Sequence, residues 1–371
     1  MIMRIVKQQP LIGDPLQNTD VVPHSQITRS SFLDGLRGLA IAWVVLFHAY
    51  ARWPNAVPFG YRFARVPVLA HGKVGVYLFF LISGFVIFMT LERSSGFTDF
   101  MRRRWLRLWP AMVTVTIFVY ATAGLFMRPA GQPVIRDLLP GLTFVEPAAW
   151  EWLLGSHQGA LEGSFWTLFV EMKFYVVVSA LFFTIGGPSA IMVLIAVFLA
   201  SLLSGHVPPI TSSVYALADF LGSWHWGWFA AGALYFKAQT TRWLLIPAAA
   251  LSLAAAYQVQ PAVQVASLLV AVLFFIAQLS RHLQAFLSLR WLVFLGAVSY
   301  PLYLLHENMM VSMIGSVGRA LPWLPDALMP ILPISIVVFL GWIFATYIEP
   351  AVKYALRMCS FTLSPRRPHS P

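Results

Sequence analysis

Ten stretches of this chain approach the roughly 20 apolar residues that an α-helix needs to cross a bilayer: 32–51, 74–91, 109–127, 165–185, 188–204, 216–236, 243–257, 261–280, 291–313 and 329–348. A backbone in hydrocarbon has no water to bond to, so stretches of this length must satisfy their peptide groups internally, as helices. The fifth and seventh are short, and the linker Gln258–Gln260 is tight enough to make the helices it joins antiparallel neighbours. No internal repeat is visible. Hydrophobic residues make up 59% of the 371 and charged residues only 11%, against about 25% charged in a soluble domain, which excludes a water-soluble surface. The expected fold is an all-α integral membrane protein, a bundle of about ten transmembrane helices.

The net charge of +11 does not call for nucleic acid, because the basic residues sit in short clusters between apolar runs, as in loops retained on the cytoplasmic side. With the N-terminus placed inside, 16 of the 25 Lys and Arg fall on the inner side and 7 on the outer, while Arg37 and Lys173 lie within spans. Both termini are therefore expected in the cytoplasm. Residues 1–30 are polar, are broken by Pro10, Pro15 and Pro23, lack a signal-peptide core, and read as a disordered tail. Residues 31–350 then form the transmembrane domain and 351–371 a basic cytoplasmic tail. Cys359 is the one cysteine, which excludes an internal disulfide and makes redox chemistry unexpected. The outer loop 128–164 carries Asp137, Glu146, Glu151 and Glu162 with Trp150 and Trp152. That mixture suits a carbohydrate or a lipid interface.

Ionisable side chains inside lipid are costly, so each is either a functional group or part of a polar pair that holds helices together. Arg37 and His48 are eleven residues apart in the first span, which places them on one helix face about 16 Å apart along the axis. The same rise sets His48, His306 in the ninth span and Glu171 in the fourth at similar depth, in the outer half of a core about 30 Å thick. A carboxylate beside an imidazole is what a general base requires. Two His and a Glu could also ligate a metal, but no helical His-x-x-x-His pair accompanies them and none is expected. Arg102, Arg103, Arg104 and Arg107 cluster on the inner side before the third span. They can bind phosphates bidentately or touch anionic lipid and set topology. Lys173 points away from Glu171 and pairs elsewhere or snorkels, and Asp219 and His225 have no evident partner.

Five ordered motifs then make a pattern. Asp34-Gly-Leu-Arg37 followed by His48 resembles the Arg-x10-His motif of the membrane acyltransferase 3 family, bacterial O-acyltransferases of surface and exported carbohydrates. Phe79-Phe-Leu-Ile-Ser83-Gly84-Phe85, Arg103-Arg104-Trp-Leu-Arg107-Leu-Trp-Pro110, Trp166-Thr-Leu-Phe-Val-Glu171-Met-Lys-Phe174-Tyr175 and Ser299-Tyr300-Pro-Leu-Tyr303-Leu-Leu-His306 are similar to its later motifs. Two positions depart: Tyr77 and Met172 stand where the family often carries acids.

The resemblance implies a ten-helix core in the bacterial inner membrane, an acetyl-CoA donor and a carbohydrate acceptor, lipid-linked or nascent polysaccharide. Arg103, Arg104 and Arg107 would hold the nucleotide phosphates, and Arg37 would guide the donor from the inner mouth. His48 would deprotonate an acceptor hydroxyl, oriented by Glu171 or another nearby carboxylate, with direct transfer and an acyl-histidine both open. Ser83 and Tyr303 would donate to the oxyanion or pack helices, and His306 would line the substrate site. No esterase-like domain follows the last span, so the membrane domain is expected to act alone or with separate partners. The rival class is a transporter or proton-coupled carrier.

Overall fold

A computed structural model describes residues 24–204 and 211–362, and every element among them is helical. In chain order these are α1 His24–Tyr50, α2 Pro67–Ala70, α3 Gly75–Leu91, α4 Phe97–Thr122, α5 Leu138–Thr143, α6 Pro147–Leu154, α7 Trp166–Ile185, α8 Gly187–Ser204 and α9 Thr211–Leu221. They continue with α10 Trp226–Lys237, α11 Leu245–Tyr257, α12 Pro261–Leu279, α13 Arg281–Leu287, α14 Arg290–Leu305, α15 Asn308–Ala320, α16 Ile331–Ile343 and α17 Glu349–Thr362. Six helical stretches are long and apolar enough to cross a bilayer: Ser31–Tyr50, Gly72–Leu91, Phe97–Leu125, Gly163–Ile185, Pro261–Leu279 and Ile331–Met358. Helices α13 and α14, bent by 64°, make a seventh if counted as one span, while Gly187–Leu202 and Arg242–Tyr257 are shorter. Met192, Leu199, Ile246, Val265, Leu269 and Phe339 point outward and exposed, as side chains facing acyl chains do. Of the two expected tails, residues 1–23 and 363–371 lie outside the described residues, whereas 24–30 and 351–362 are helical.

Two stretches that read as single spans are broken in the structure, and each break has a local cause. The stretch 216–236 divides at Gly222, whose φ of 65° lies in the left-handed region, so α9 ends there and a short 3-10 turn leads into α10. The stretch 291–313 divides at Glu307, with φ −84° and ψ −88°, so His306 ends α14 and Asn308 starts α15. The arginine cluster is not a loop, because α4 begins at Phe97 and carries Arg102 to Arg107 on its first turns.

The core is a set of close helix crossings made by glycine. Helix α1 packs most extensively against α14, and α3 against α10. A Cβ on Gly38 would lie 2.0 Å from the Leu292 carbonyl oxygen, and one on Gly296 would lie 1.9 Å from that of Asp34. Gly84 and Gly232 do the same for α3 and α10, at 2.0 Å from the Phe229 oxygen and 2.2 Å from the Leu81 oxygen. Membrane helices lack a hydrophobic force between them and adhere through backbone proximity of this kind. The α1–α14 crossing brings His48, near the end of one helix, to His306, at the end of the other.

Candidate active site

His48 lies at the meeting of α1 and the α14–α15 break. Its Nδ1 is 2.9 Å from the Val44 carbonyl oxygen and 3.2 Å from His306 Nε2, and its Nε2 is 3.7 Å from Glu307 Oε1. These contacts fix the tautomers. His306 Nδ1 faces the Tyr303 carbonyl at 2.8 Å, and a carbonyl only accepts, so His306 carries its proton on Nδ1 and presents Nε2 as an acceptor. His48 Nδ1, facing that acceptor and the Val44 carbonyl, therefore carries the proton, which leaves His48 Nε2 with a free lone pair beside Glu307. A proton arriving at Nε2 meets a carboxylate there. The two rings bond one another at right angles instead of converging, and among the described residues no group of three or more His, Cys, Asp or Glu side chains is arranged to hold a metal ion.

Glu307 is placed by a reciprocal exchange between two buried carboxylates. Its Oε2 accepts from Ser164 N at 2.7 Å, capping the turn that opens α7. Glu162 in turn accepts from Asn308 N at 2.9 Å and Asn308 Nδ2 at 2.8 Å, capping the start of α15. Each acid satisfies an orphan N–H at the other's helix start, where the backbone dipoles favour negative charge. Gly163 lets Glu307 come this close, since a Cβ there would lie 2.9 Å from Glu307 Oε1 and shift the carboxylate. Glu162 is fully buried with Arg128 at 3.4 Å. Burial pushes its carboxyl up to about 8, and Arg128 opposes that rise.

A cavity of about 900 Å³ opens on this pair and is lined by His48, Arg52, Lys73, Tyr77, Trp166, Asp219, His225, Trp228, Tyr303 and Glu307 among others. A second cavity, about 320 Å³, is lined by Arg37, Arg104, Arg107, Ser83, Thr167, Glu171, Tyr175 and Tyr303 with further apolar residues. Val76 and Tyr303 line both, so the two chambers adjoin at that point. Thr167 Oγ1 lies 3.0 Å from Tyr303 Oη and donates to it, which leaves the tyrosine's own proton free to point elsewhere.

In the second chamber Arg104 is 3% exposed. Its Nη2 donates to the Val86 carbonyl at 2.9 Å and to Thr90 Oγ1 at 2.6 Å, while its Nε has no partner among the described residues. Arg37 pairs with Asp34 at 2.6 Å, Glu349 pairs with Lys353, and Glu171 accepts from Ser83 Oγ at 2.8 Å and Tyr175 Oη at 2.6 Å. Arg104 and Arg107 are ion-paired with no described residue, which is the condition of guanidinium groups that can take an incoming phosphate.

The sequence-derived groups thus divide. His48 and His306 are together. Arg37, Arg104, Arg107, Ser83 and Glu171 share the other chamber, and Tyr303 stands between the two. Arg103 turns outward, half exposed, to Asp99 at 3.0 Å. Glu171 bonds Ser83 and Tyr175, and the carboxylate facing His48 is Glu307. Lys173 pairs with Glu146 of loop 128–164 at 2.8 Å. Sequence reasoning passed over Glu307, Arg128 and Asn308, and noted Glu162 only as one of several loop acids. Glu307 carried a signal, being an acid inside an apolar stretch next to His306, but the motif that drew attention ended one residue earlier.

Comparison with known proteins bears on this geometry. The chain is 26% identical over 186 residues to an O-acetyl transferase of Shigella phage Sf6, covering 48% of this chain and 54% of that one. It is 28% identical over 160 residues to a putative peptidoglycan O-acetyltransferase, YrhL, of Bacillus subtilis strain 168, covering 39% of this chain and 22% of that one. It is 27% identical over 157 residues to the O-acetyltransferase OatA of Staphylococcus aureus, covering 39% and 23%. The chain therefore spans about half the length of the first relative and less than a quarter of the other two. No solved structure matches. A family profile described as an acyltransferase domain matches residues 30–349, nearly the whole helical bundle, and the chain belongs to that acyltransferase family.

Proposed function

We propose that this protein is a ten-span O-acyltransferase of the bacterial inner membrane with both termini in the cytoplasm, transferring acetyl from acetyl-CoA to a hydroxyl of a surface or exported glycan, such as an exopolysaccharide or lipopolysaccharide. The observation that carries the reading is the pair of adjoining chambers, one with two guanidinium groups ion-paired to no described residue and the other with an imidazole whose Nε2 bears a lone pair. The three matched relatives are themselves described as O-acetyl transferases or O-acetyltransferases. In this reading the donor's phosphates bind Arg104 and Arg107, Arg37 lines the path, and the pantetheine arm carries the thioester toward Tyr303. The acceptor hydroxyl attacks the thioester carbonyl as His48 Nε2 takes its proton. The C–S bond then breaks, and the CoA thiolate recovers that proton from the imidazolium and leaves as the thiol. Glu307 stabilises the imidazolium while it lasts, and Tyr303 Oη is free to donate to the oxyanion.

The experiment is transfer of labelled acetyl from acetyl-CoA to a de-O-acetylated glycan by the purified protein in liposomes. Uptake or counterflow without any turnover of acetyl-CoA would favour a carrier and end this reading. Two variants probe its parts. Arg104→Gln with Arg107→Gln raises KM for acetyl-CoA by about 10-fold or more, since a hydrogen bond to a charged group contributes about 1.5–3 kcal/mol. A change in insertion alone, with KM unmoved, would assign the cluster to topology. Glu307→Gln lowers kcat by roughly 10- to 100-fold with KM for the donor unchanged, as loss of an interaction made only at the transition state does.

A further inference from the structure

The outer cavity has a second wall that neither the base nor the donor site uses. The Tyr77 and Trp228 rings stack in parallel at 5.0 Å with 4° between their planes. The His225 ring sits 5.3 Å from Trp166, 5.2 Å from Phe80 and 6.4 Å from Tyr77. Trp166, Tyr77, His225, Trp228 and Asp219 line the same cavity as His48 and Glu307. The break at Gly222 makes this possible, because it ends α9 just after Asp219 and turns His225 into the cavity at the head of α10.

These residues combine two properties that ordinary packing would not. Their faces are flat and aromatic, yet Tyr77 Oη, both ring nitrogens of His225 and Trp166 Nε1 make no hydrogen bond to any described residue. Tyr77 and His225 are only part-buried, and Trp166 is 42% exposed. Polar groups inside a helical bundle are ordinarily bonded, because leaving one bare is costly. An acyl chain would leave all of these groups unsatisfied. A phosphate would be drawn to Arg52 and Lys73 elsewhere on the lining and not to these aromatic groups, which offer it no cation and stand beside Asp219. A sugar ring fits both properties, with an apolar C–H face to lie on an aromatic plane and a rim of hydroxyls that both donate and accept. The cavity volume lies within the roughly 300–1,000 Å³ usual for small-ligand sites.

We propose that Trp166, Tyr77 and His225, with Trp228 buried behind Tyr77 as its support and Asp219 at the edge, form the sugar-binding subsite of the acceptor, which presents one pyranose hydroxyl to His48 Nε2 across the cavity. The proposal rests on the O-acyltransferase reading for its direction but makes a binding statement of its own. His225 is a binding residue here and takes no part in proton transfer.

The test uses the full-length protein and an oligosaccharide released from the host's own surface polysaccharide and stripped of acetyl groups. Calorimetric titration of His48→Ala, which binds without reacting, gives the affinity. His225→Ala and Tyr77→Phe, each made in that background, weaken it by about tenfold apiece, the scale of one lost hydrogen bond. In the active protein the same two substitutions raise KM for the glycan about tenfold and leave KM for acetyl-CoA within twofold. Affinity and glycan KM equal to the parent's in both variants, or donor and acceptor KM rising together, overturns the subsite. Tyr77→Phe guards against misfolding because it removes only the hydroxyl. If the oligosaccharide binds and His225→Ala weakens it while the parent transfers no acetyl, the subsite stands and the proposed reaction falls.

Discussion

His48→Ala removes acetyl transfer by about 10² to 10⁴-fold, the range a positioned general base contributes, in protein that still inserts and still binds donor and glycan. The loss appears in kcat, because the imidazole meets the acceptor proton only as the hydroxyl attacks. The loss traces to one atom of the imidazole. His48 Nδ1 is occupied by the Val44 carbonyl and His306, so Nε2 alone is free to take a proton. NMR of the surface polysaccharide from cells carrying the variant measures the outcome directly. Acetylation at the parent rate would remove His48 from the chemistry.

Gly38→Val combined with Gly296→Val prevents the bundle from assembling. Each added Cβ would meet a backbone oxygen of the facing helix at 2.0 and 1.9 Å, and a backbone oxygen, unlike a side-chain tip, cannot swing aside. Overpacking at one site costs roughly 1–3 kcal/mol or more, and here both sites lie on the same crossing and force the same separation of α1 from α14. The expected result is a variant absent from the monodisperse peak on size-exclusion chromatography in detergent. Gly124→Ala is the matched control, since nothing stands within 4 Å of the position its Cβ would take. A monodisperse double variant with unchanged melting would show that the crossing is not close in the membrane.

The helical class and the main long spans were legible because hydrocarbon leaves the backbone no alternative, and the motifs marked most of the groups that line the smaller chamber but only His48, Trp166 and Tyr303 in the larger. What was not legible follows from geometry that a single helix axis cannot contain. Depth arithmetic along straight helices put Glu171 and His48 at one level without saying which groups meet, and α7 turns that carboxylate toward Ser83 and Tyr175 in the other chamber. The break at Glu307 needed a partner 145 residues away, Glu162, to cap the new helix start, and no local pattern announces such an exchange. Gly222 was readable as a stop, but the apolar run on either side of it outweighed one residue. Arg103 and Arg104 are neighbours in sequence, yet α4 turns one to water and the other into the chamber, a distinction that required knowing that α4 starts at Phe97.

The α1–α14 crossing has a mechanical consequence. Where two backbones touch with no side chain between them, there is no rotamer to change and so only one resting distance. His48 and His306 ride on that fixed strut and keep their spacing whatever else in the bundle moves. Admission of a bulky reactant must then fall to other contacts, such as that of α7 with α3, which is sparse. The start of α7 is tied to α14 and α15 through Ser164 and Thr167, so breathing motion sought by hydrogen exchange or spin labels belongs on α7 beyond that turn, with α1 and α14 serving as the stationary frame.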